Sequence, residues 1–186
     1  MRIISGKNKG KKIIPPVDKN TRPLRDIVKE SIFNLIKHSN KFNLNLENSD
    51  VLDLFSGSGS FGLECISRGA SKVVFVENYN KALNILNKNI LNFQELDLCK
   101  IITKDCFDYI NFDIEKNQRF NLIFLDPPFK EKKINFLIDK IKEKKILKKN
   151  GILILHRHKK DNLKITTKLN ILDQRLYGIS KITIGN

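Results

Sequence analysis

Short apolar runs separated by amphipathic stretches constrain this chain more than any other feature. The runs at 51–55, 72–76, 101–103, 122–125 and 152–155 have the length and β-branched content of buried strands. Between them, 60–68, 79–92, 106–112 and 132–145 read as helices. In the second of these, Ala82, Leu83, Leu86 and Ile90 recur at helical spacing. Such alternation predicts an α/β fold, a mostly parallel sheet with helices on both faces. Toward the end the pattern changes, and 164–172, 175–178 and 180–184 read as a final antiparallel β-pair. A chain of 186 residues, 40% of them hydrophobic, suits one domain over 1–186 with a full core.

The beginning of the chain reads as an extension of that core. Residues 2–4 and 12–14 lean toward β-structure around a Gly/Lys-rich turn over 6–10, so a basic hairpin is expected, closed by Pro15-Pro16. A helix is expected from Pro23, which suits a first helical position. Leu24, Ile27, Val28, Ser31, Ile32, Leu35 and Ile36 would form its inward stripe. Residues 1–40 are thus a basic hairpin and helix, and 50–186 the core.

Net charge is +15, which favours a polyanionic partner. The excess is concentrated: residues 1–29 carry nine Lys/Arg against two Asp, and residues 129–149 nine Lys against three acids. Lys-rich codon usage accounts for lysines on helix surfaces better than for Arg22 and Arg25. Cys65, Cys99 and Cys106 lack CxxC spacing, which argues for reduced thiols in a cytoplasmic protein and against a zinc site. No apolar run approaches the roughly 18 residues that span a bilayer, and the polar turn after Ile4 does not suit a signal peptide.

The chemistry concentrates at strand ends. Asp126-Pro127-Pro128-Phe129 follows the apolar run 122–125, at the edge where open α/β sheets bind ligands. Two prolines remove backbone donors and leave carbonyls as acceptors. A carboxylate, a carbonyl and a flat ring together suit a planar base with an exocyclic amine, its hydrogens accepted and its face stacked.

Gly57, Gly59 and Gly62 match G-x-G-x-x-G between the first strand and the next helix, and Glu77 lies twenty residues beyond Gly57. That spacing suits a ribose hydroxyl and raises a nicotinamide-binding reading. Asp53, four residues before Gly57, opposes it by placing an anion where a pyrophosphate would approach and a cationic amine would be welcome. Asp105, in Lys104-Asp105-Cys106-Phe107, offers a further acceptor for an adenine amino group, or else a helix cap. A ligand with an ammonium, a ribose and an adenine but no phosphate fits: S-adenosylmethionine.

With these motifs in place the chain resembles the class I S-adenosylmethionine-dependent methyltransferases, and within them the bacterial 16S rRNA guanine-N2 methyltransferases. The resemblance covers nearly the whole chain: Arg2-Ile3-Ile4-Ser5-Gly6-Lys7, Gly10-Lys11-Lys12, Thr21-Arg22-Pro23, Asp26, Val28 to Asn34, Asp53 to Gly59, Glu77 and Asp126 to Phe129. It implies a Rossmann-like, seven-stranded, largely parallel sheet with a reversed last strand. It also implies a cofactor set of Asp53, Phe55, Gly57, Ser58, Gly59, Glu77, Asp105 and Cys106. Asp126, Pro127, Pro128 and Phe129 would hold the target base. Lys7, Lys9, Lys11, Lys12, Arg22 and Arg25 would track RNA phosphates, and the partner would be 16S rRNA within a small subunit, met by a monomer. Where the family commonly has acidic residues after the fifth strand, this chain has His156-Arg157-His158. These read as a strand end on the RNA side, touching phosphate or solvated, and are given no role. The competing readings are a DNA adenine-N6 or cytosine-N4 amino-methyltransferase and a non-catalytic RNA-binding assembly factor.

Overall fold

The computed structural model of the chain describes residues 1–16, 18, 23–161, 163–165 and 168–186. Seven strands form one sheet: β1 (Asp50–Leu54), β2 (Lys72–Val76), β3 (Cys99–Ile102), β4 (Phe120–Leu125), β5 (Leu147–His158), β6 (Ile171–Tyr177) and β7 (Ser180–Gly185). Their order across the sheet is β3-β2-β1-β4-β5-β7-β6. Strands β1 to β5 run parallel, and β7 lies antiparallel between β5 and β6. The expected seven-stranded, Rossmann-like sheet with a reversed last strand is therefore the fold. Helices α1 (Asp26–His38), α2 (Ser60–Ser67), α3 (Asn80–Phe93) and α5 (Ile134–Glu143) cover it, with a single turn, α4 (Cys106–Asp108), that widens over Tyr109–Asp113. Among the described residues no helix is long and apolar enough to cross a membrane.

Strand alternation sorts the apolar residues into two cores. Val51, Val73, Phe75, Leu122 and Phe124 face α1, α2 and α3. Leu52, Leu54, Val74, Val76, Ile123 and Leu125 face α4 and α5. Both faces being buried explains why the strands read as continuous apolar runs.

Three expectations are corrected. α1 begins at Asp26, not Pro23, because Leu24 turns inward and Arg25 stays extended while its carbonyl accepts the Val28 and Lys29 N–H groups. The helix also presents a different face: Ile27 is 70% exposed, while Lys29 and Phe33 are fully buried. β5 runs three residues past the predicted end at 155, because His156, Arg157 and His158 pair with Ile182, Lys181 and Ser180 of β7. Arg22 lies outside the described residues.

The expected N-terminal hairpin forms, with an Arg2–Lys12 bridge and Ile3 and Ile13 buried in the α1–α3 core. A buried ion pair attaches it. Glu64 in α2 accepts the backbone N–H groups of Ile4 and Ser5 at 2.8 and 3.0 Å and the Arg68 Nε at 2.8 Å. Lys29 Nζ lies 3.4 Å from Glu64 Oε2, and donates to the Arg2 carbonyl and the Ser60 hydroxyl. Burial pushes the Lys29 ammonium below its usual pKa, and Glu64 pulls it back up.

Removing one partner of such a pair strands a buried charge and costs about 3 kcal/mol or more. Glu64→Gln should therefore lower the urea midpoint of unfolding sharply, and Lys29→Met in the same chain should recover part of the loss. An unchanged midpoint in the single variant would show that the pair does not anchor the hairpin.

Candidate active site

The connection from β1 leads outward to β2 on one side, the connection from β3 crosses back to β4 on the other, and a crevice opens at the carboxyl ends of β1 and β4. The crevice is a cleft of about 560 Å³. Asp53, Phe55, Gly57, Ser58, Glu77 and Asp105 line one side, and Asp126, Pro127, Pro128 and Phe129 the other. Two segments far apart in sequence thus meet there because β1 pairs in register with β4, Leu54 beside Leu125.

The loop between β1 and α2 is held in conformations that most residues avoid. Phe55 adopts φ +60°, Gly57 +56° and Gly59 +79°; a non-glycine residue there costs on the order of 1–3 kcal/mol and marks a site that the fold over-determines. The third glycine serves packing. A Cβ on Gly62 would stand 2.3 Å from the Phe75 ring, so its absence lets α2 lie directly on β2. Gly59 caps α2 and is not part of the cleft lining. Cys106 also lies behind the wall, buried, its sulfur accepting the Phe55 N–H at 3.3 Å.

The carboxylates differ in what holds them. Glu77 accepts N–H groups from Gly57, Asn78 and Tyr79 at 2.8 to 3.0 Å, and so ties the glycine loop to the start of α3. Asp105 caps α4 through the Phe107 and Asp108 N–H groups and accepts from Asn78 Nδ2. Asp53 is 1% exposed and accepts the Gly62 N–H at 3.0 Å. Burial pushes its pKa well above the usual carboxylate range; the Gly62 N–H opposes the shift, and Asp126 and Glu77 add to it.

Opposite them, the Asp126–Phe129 loop is clamped by the end of β5. The Arg157 guanidinium, 3% exposed, donates to the carbonyls of Pro128 and Phe129 at 2.9 Å and of Glu131 at 3.2 Å, and pairs with Asp161. His156, 2% exposed, places Nδ1 2.9 Å from Asp126 Oδ1 and Nε2 2.8 Å from Ser180 Oγ. The His158 ring meets Phe129 edge to face at 5.1 Å. The expectation of a solvated or phosphate-touching strand end is corrected: His156 and Arg157 are internal struts of the loop. Sequence reading missed them because polar residues after an apolar run look like a strand's exit to solvent. Only the continued pairing with β7 buries them.

The basic residues expected to meet RNA are spread along the extension. Lys7 and Lys9 belong to the hairpin turn, which packs on Ser67 at the far end of α2 from the cleft. Lys7 pairs with Glu95 at 2.8 Å, and Lys11 stands over the Phe93 ring at 5.0 Å. Lys9, Lys12 and Arg25 are exposed, and Arg25 adjoins Leu24, which lines the cleft. Exposed Lys130, Lys132 and Lys133 follow Phe129 directly.

Electrostatics decide what the cleft can hold. In a chain of net charge +15, every ionisable side chain among its described lining residues is acidic or a tyrosine: Asp53, Glu77, Asp105, Asp126, Glu131 and Tyr79. A phosphate-bearing dinucleotide is a poor match, whereas a cationic ligand that offers hydroxyl and amino hydrogens fits the donor set. Fold and site together define a class I methyltransferase, whose cofactor is S-adenosylmethionine. The family model described as Conserved hypothetical protein 95 matches residues 1–186, and the chain belongs to that family.

Its relatives agree with this placement. It is 31% identical over 185 residues to the Bacillus subtilis protein named "Putative rRNA methyltransferase YlbH", covering 99% of this chain and 97% of that one. It is 30% identical over 180 residues to "Ribosomal RNA small subunit methyltransferase D" of Haemophilus influenzae, covering 96% and 90%. The solved structure of YhhF from Escherichia coli superposes with a TM-score of 0.83 at 22% identity, covering 100% and 96%, and shows the shared fold.

A lysine cannot reproduce the planar fork with which Arg157 spans three carbonyls. Arg157→Lys should lower stability by about 1–3 kcal/mol in urea titration, with the loss of those hydrogen bonds. A wild-type midpoint would mean that the clamp contributes nothing to holding the loop.

Proposed function

We propose that the chain methylates the exocyclic N2 of a guanine in 16S rRNA of the small ribosomal subunit. The observation that carries this reading is the meeting, at one sheet edge, of an acidic cleft suited to a cationic cofactor and a clamped Asp-Pro-Pro-Phe loop. The names of the relatives at about 30% identity, rRNA methyltransferases, favour RNA as the substrate class.

Asp53, with Phe55, Gly57, Ser58 and Gly59 shaping the loop around it, takes the charged methionine end of the cofactor. Glu77 takes the ribose hydroxyls and Asp105 the adenine side, with Cys106 behind the wall supporting Phe55. When bound, S-adenosylmethionine supplies an electrophilic methyl group.

The acceptor amine is a poor nucleophile because its lone pair is delocalised into the base. Arg157 occupies the carbonyls of Pro128, Phe129 and Glu131, while among the described residues no donor is paired with the Pro127 carbonyl. Asp126 and that carbonyl accept the two N–H groups and favour a pyramidal nitrogen with a localised lone pair. Pro128 stiffens the turn, and Phe129, 40% exposed, stacks on the base. Transfer would form one N–C bond as the methyl–sulfur bond breaks and S-adenosylhomocysteine leaves, and Asp126 is placed to receive the proton that the nitrogen gives up. Lys7, Lys9, Lys11, Lys12, Arg22 and Arg25 track the backbone, together with Lys130, Lys132 and Lys133 beside the cleft, giving a steep salt dependence.

The deciding experiment is methyl transfer from labelled S-adenosylmethionine to small subunits that lack the modification, with naked 16S rRNA and DNA alongside. N2-methylguanosine in the RNA product is expected, with binding that weakens steeply as salt rises; label in DNA, or none at all, would overturn the reading. Asp126→Ala should abolish turnover while cofactor binding survives.

Asp53 gives the reading a pH signature. A cation beside this carboxyl favours its ionised form, so binding lowers its raised pKa and expels a proton. Cofactor affinity should fall as pH drops through that raised pKa. In the free protein the sign is reversed: because burial favours the protonated form, stability falls as pH rises through the same window. Asp53→Asn should weaken cofactor binding by about tenfold or more, flatten both pH profiles, and leave the free protein at least as stable at neutral pH. Calorimetric titration and thermal melts carried upward in pH from the ordinary carboxylate range test this; an unchanged affinity profile would remove Asp53 from the site.

A further inference from the structure

We propose that Ser180 and His156 form a hydrogen-bond relay that positions the Asp126 carboxylate toward the substrate amine; this rests on the guanine-N2 reading above. The three residues are remote in sequence, Asp126 and His156 being 30 apart and His156 and Ser180 being 24 apart. The reversed strand β7 brings them together. Ile182 pairs directly with His156, and Ser180, two residues along on the same face, is its diagonal neighbour.

Hydrogen-bond chemistry fixes the direction of the relay. An ionised carboxylate only accepts, so the nitrogen 2.9 Å from Asp126 Oδ1 must carry the hydrogen, and Nδ1–H donates to it. In the neutral ring Nε2 then holds a lone pair, and the Ser180 hydroxyl, 2.8 Å away, donates to that. Ser180 is 3% exposed and His156 2%, so neither bond is diluted by bulk water. The serine selects the tautomer and the imidazole selects the carboxylate's rotation. The selection matters because the terminal torsion of an aspartate is broad and two-fold. Loss of this strut would remove one of the contacts that set the plane of the Asp126 carboxylate, and displacements near 1 Å can cost about a hundredfold in rate.

His156 and Ser180 are thus positioning residues, and they give the inserted β7 strand a part in the chemistry. Arg157, the next residue, holds the same loop through backbone carbonyls. One strand end therefore fixes the motif twice, by its main chain and by its carboxylate.

The test compares the full-length chain with His156→Leu, His156→Asn, Ser180→Ala and Ser180→Thr in the small-subunit assay. His156→Leu should lower kcat by about tenfold or more, with the KM for S-adenosylmethionine unchanged within about twofold. His156→Asn, which keeps an N–H near the Nδ1 position, should recover most of the loss. Ser180→Ala should lower kcat more mildly, and Ser180→Thr should restore it. Unchanged kcat in His156→Leu, or an Asn variant no better than Leu, would overturn the proposal.

Nitrogen-15 NMR of the imidazole in the free protein provides a readout that needs no substrate. The wild-type ring should be the Nδ1–H tautomer, and Ser180→Ala should shift it toward a mixture. An Nε2–H ring in the wild type would overturn the relay. Wild-type protein that fails to methylate guanine but keeps the Nδ1–H ring would reject the guanine reading and leave the relay standing.

Discussion

The parallel pairing of β1 with β4 is the constraint on which the rest of the structure depends. Asp53 stands beside Phe124 in this register, Leu54 beside Leu125, and the Asp126 N–H reaches the Leu54 carbonyl. The glycine loop after β1 and the Asp-Pro-Pro-Phe loop after β4 therefore open on the same crevice. Because side chains alternate with period two, a one-residue slip would turn Asp53 to the other face of the sheet. Two unbroken apolar cores, one on each face, make that slip prohibitive. Precision at the cleft is inherited from burial several residues away.

Most of the fold was legible in the sequence because it is written in local periodicity. Apolar runs gave β1, β2 and β4 to within two residues and the presence of a reversed final pair, although 164–172 reads as strand and β6 spans Ile171–Tyr177; the glycine spacing placed the loop before α2. The errors about which residues are buried share one physical origin. Ile27 reads as a core residue and Lys29 as a surface one, yet Lys29 is fully buried and Ile27 is 70% exposed. The reason is that Glu64, 35 positions later, offers the lysine a buried partner. His156-Arg157-His158 reads as a strand leaving the core, yet two of the three are interior because β7 extends the pairing beyond the apolar run. A charged residue's burial depends on a partner supplied by tertiary structure, which no local pattern records.

The same distinction divides the candidate site. Asp53, Glu77, Asp105 and Asp126 carry their own signal, a carboxylate at the carboxyl end of a strand. Their supports do not: a serine in β7 and an arginine at the end of β5 are ordinary residue types until their contacts are known, and Cys106, expected in the cofactor set, stands behind Phe55 instead. Arg157 and Cys106 act on the site through backbone atoms, so neither would be found by a search for reactive groups within reach of a ligand.

Charge is segregated by depth. The exposed lysines act through solvent, where salt screens them over about 8 Å under physiological conditions. The cleft carboxylates lie in a medium that screens far less, so a chain of net charge +15 can attract a polyanion outside and favour a cation within. Holding several carboxylates together is costly unless backbone N–H groups compensate, and the compensation here is unequal. Glu77 receives three such groups and Asp105 two, whereas Asp53 receives one, from Gly62. Burial and the two neighbouring acids then leave Asp53 the least stabilised as an anion of these three. A cation in the cleft would gain most beside that group, so in the proposed reading Asp53, at the base of the glycine loop, sets which end of the ligand faces it.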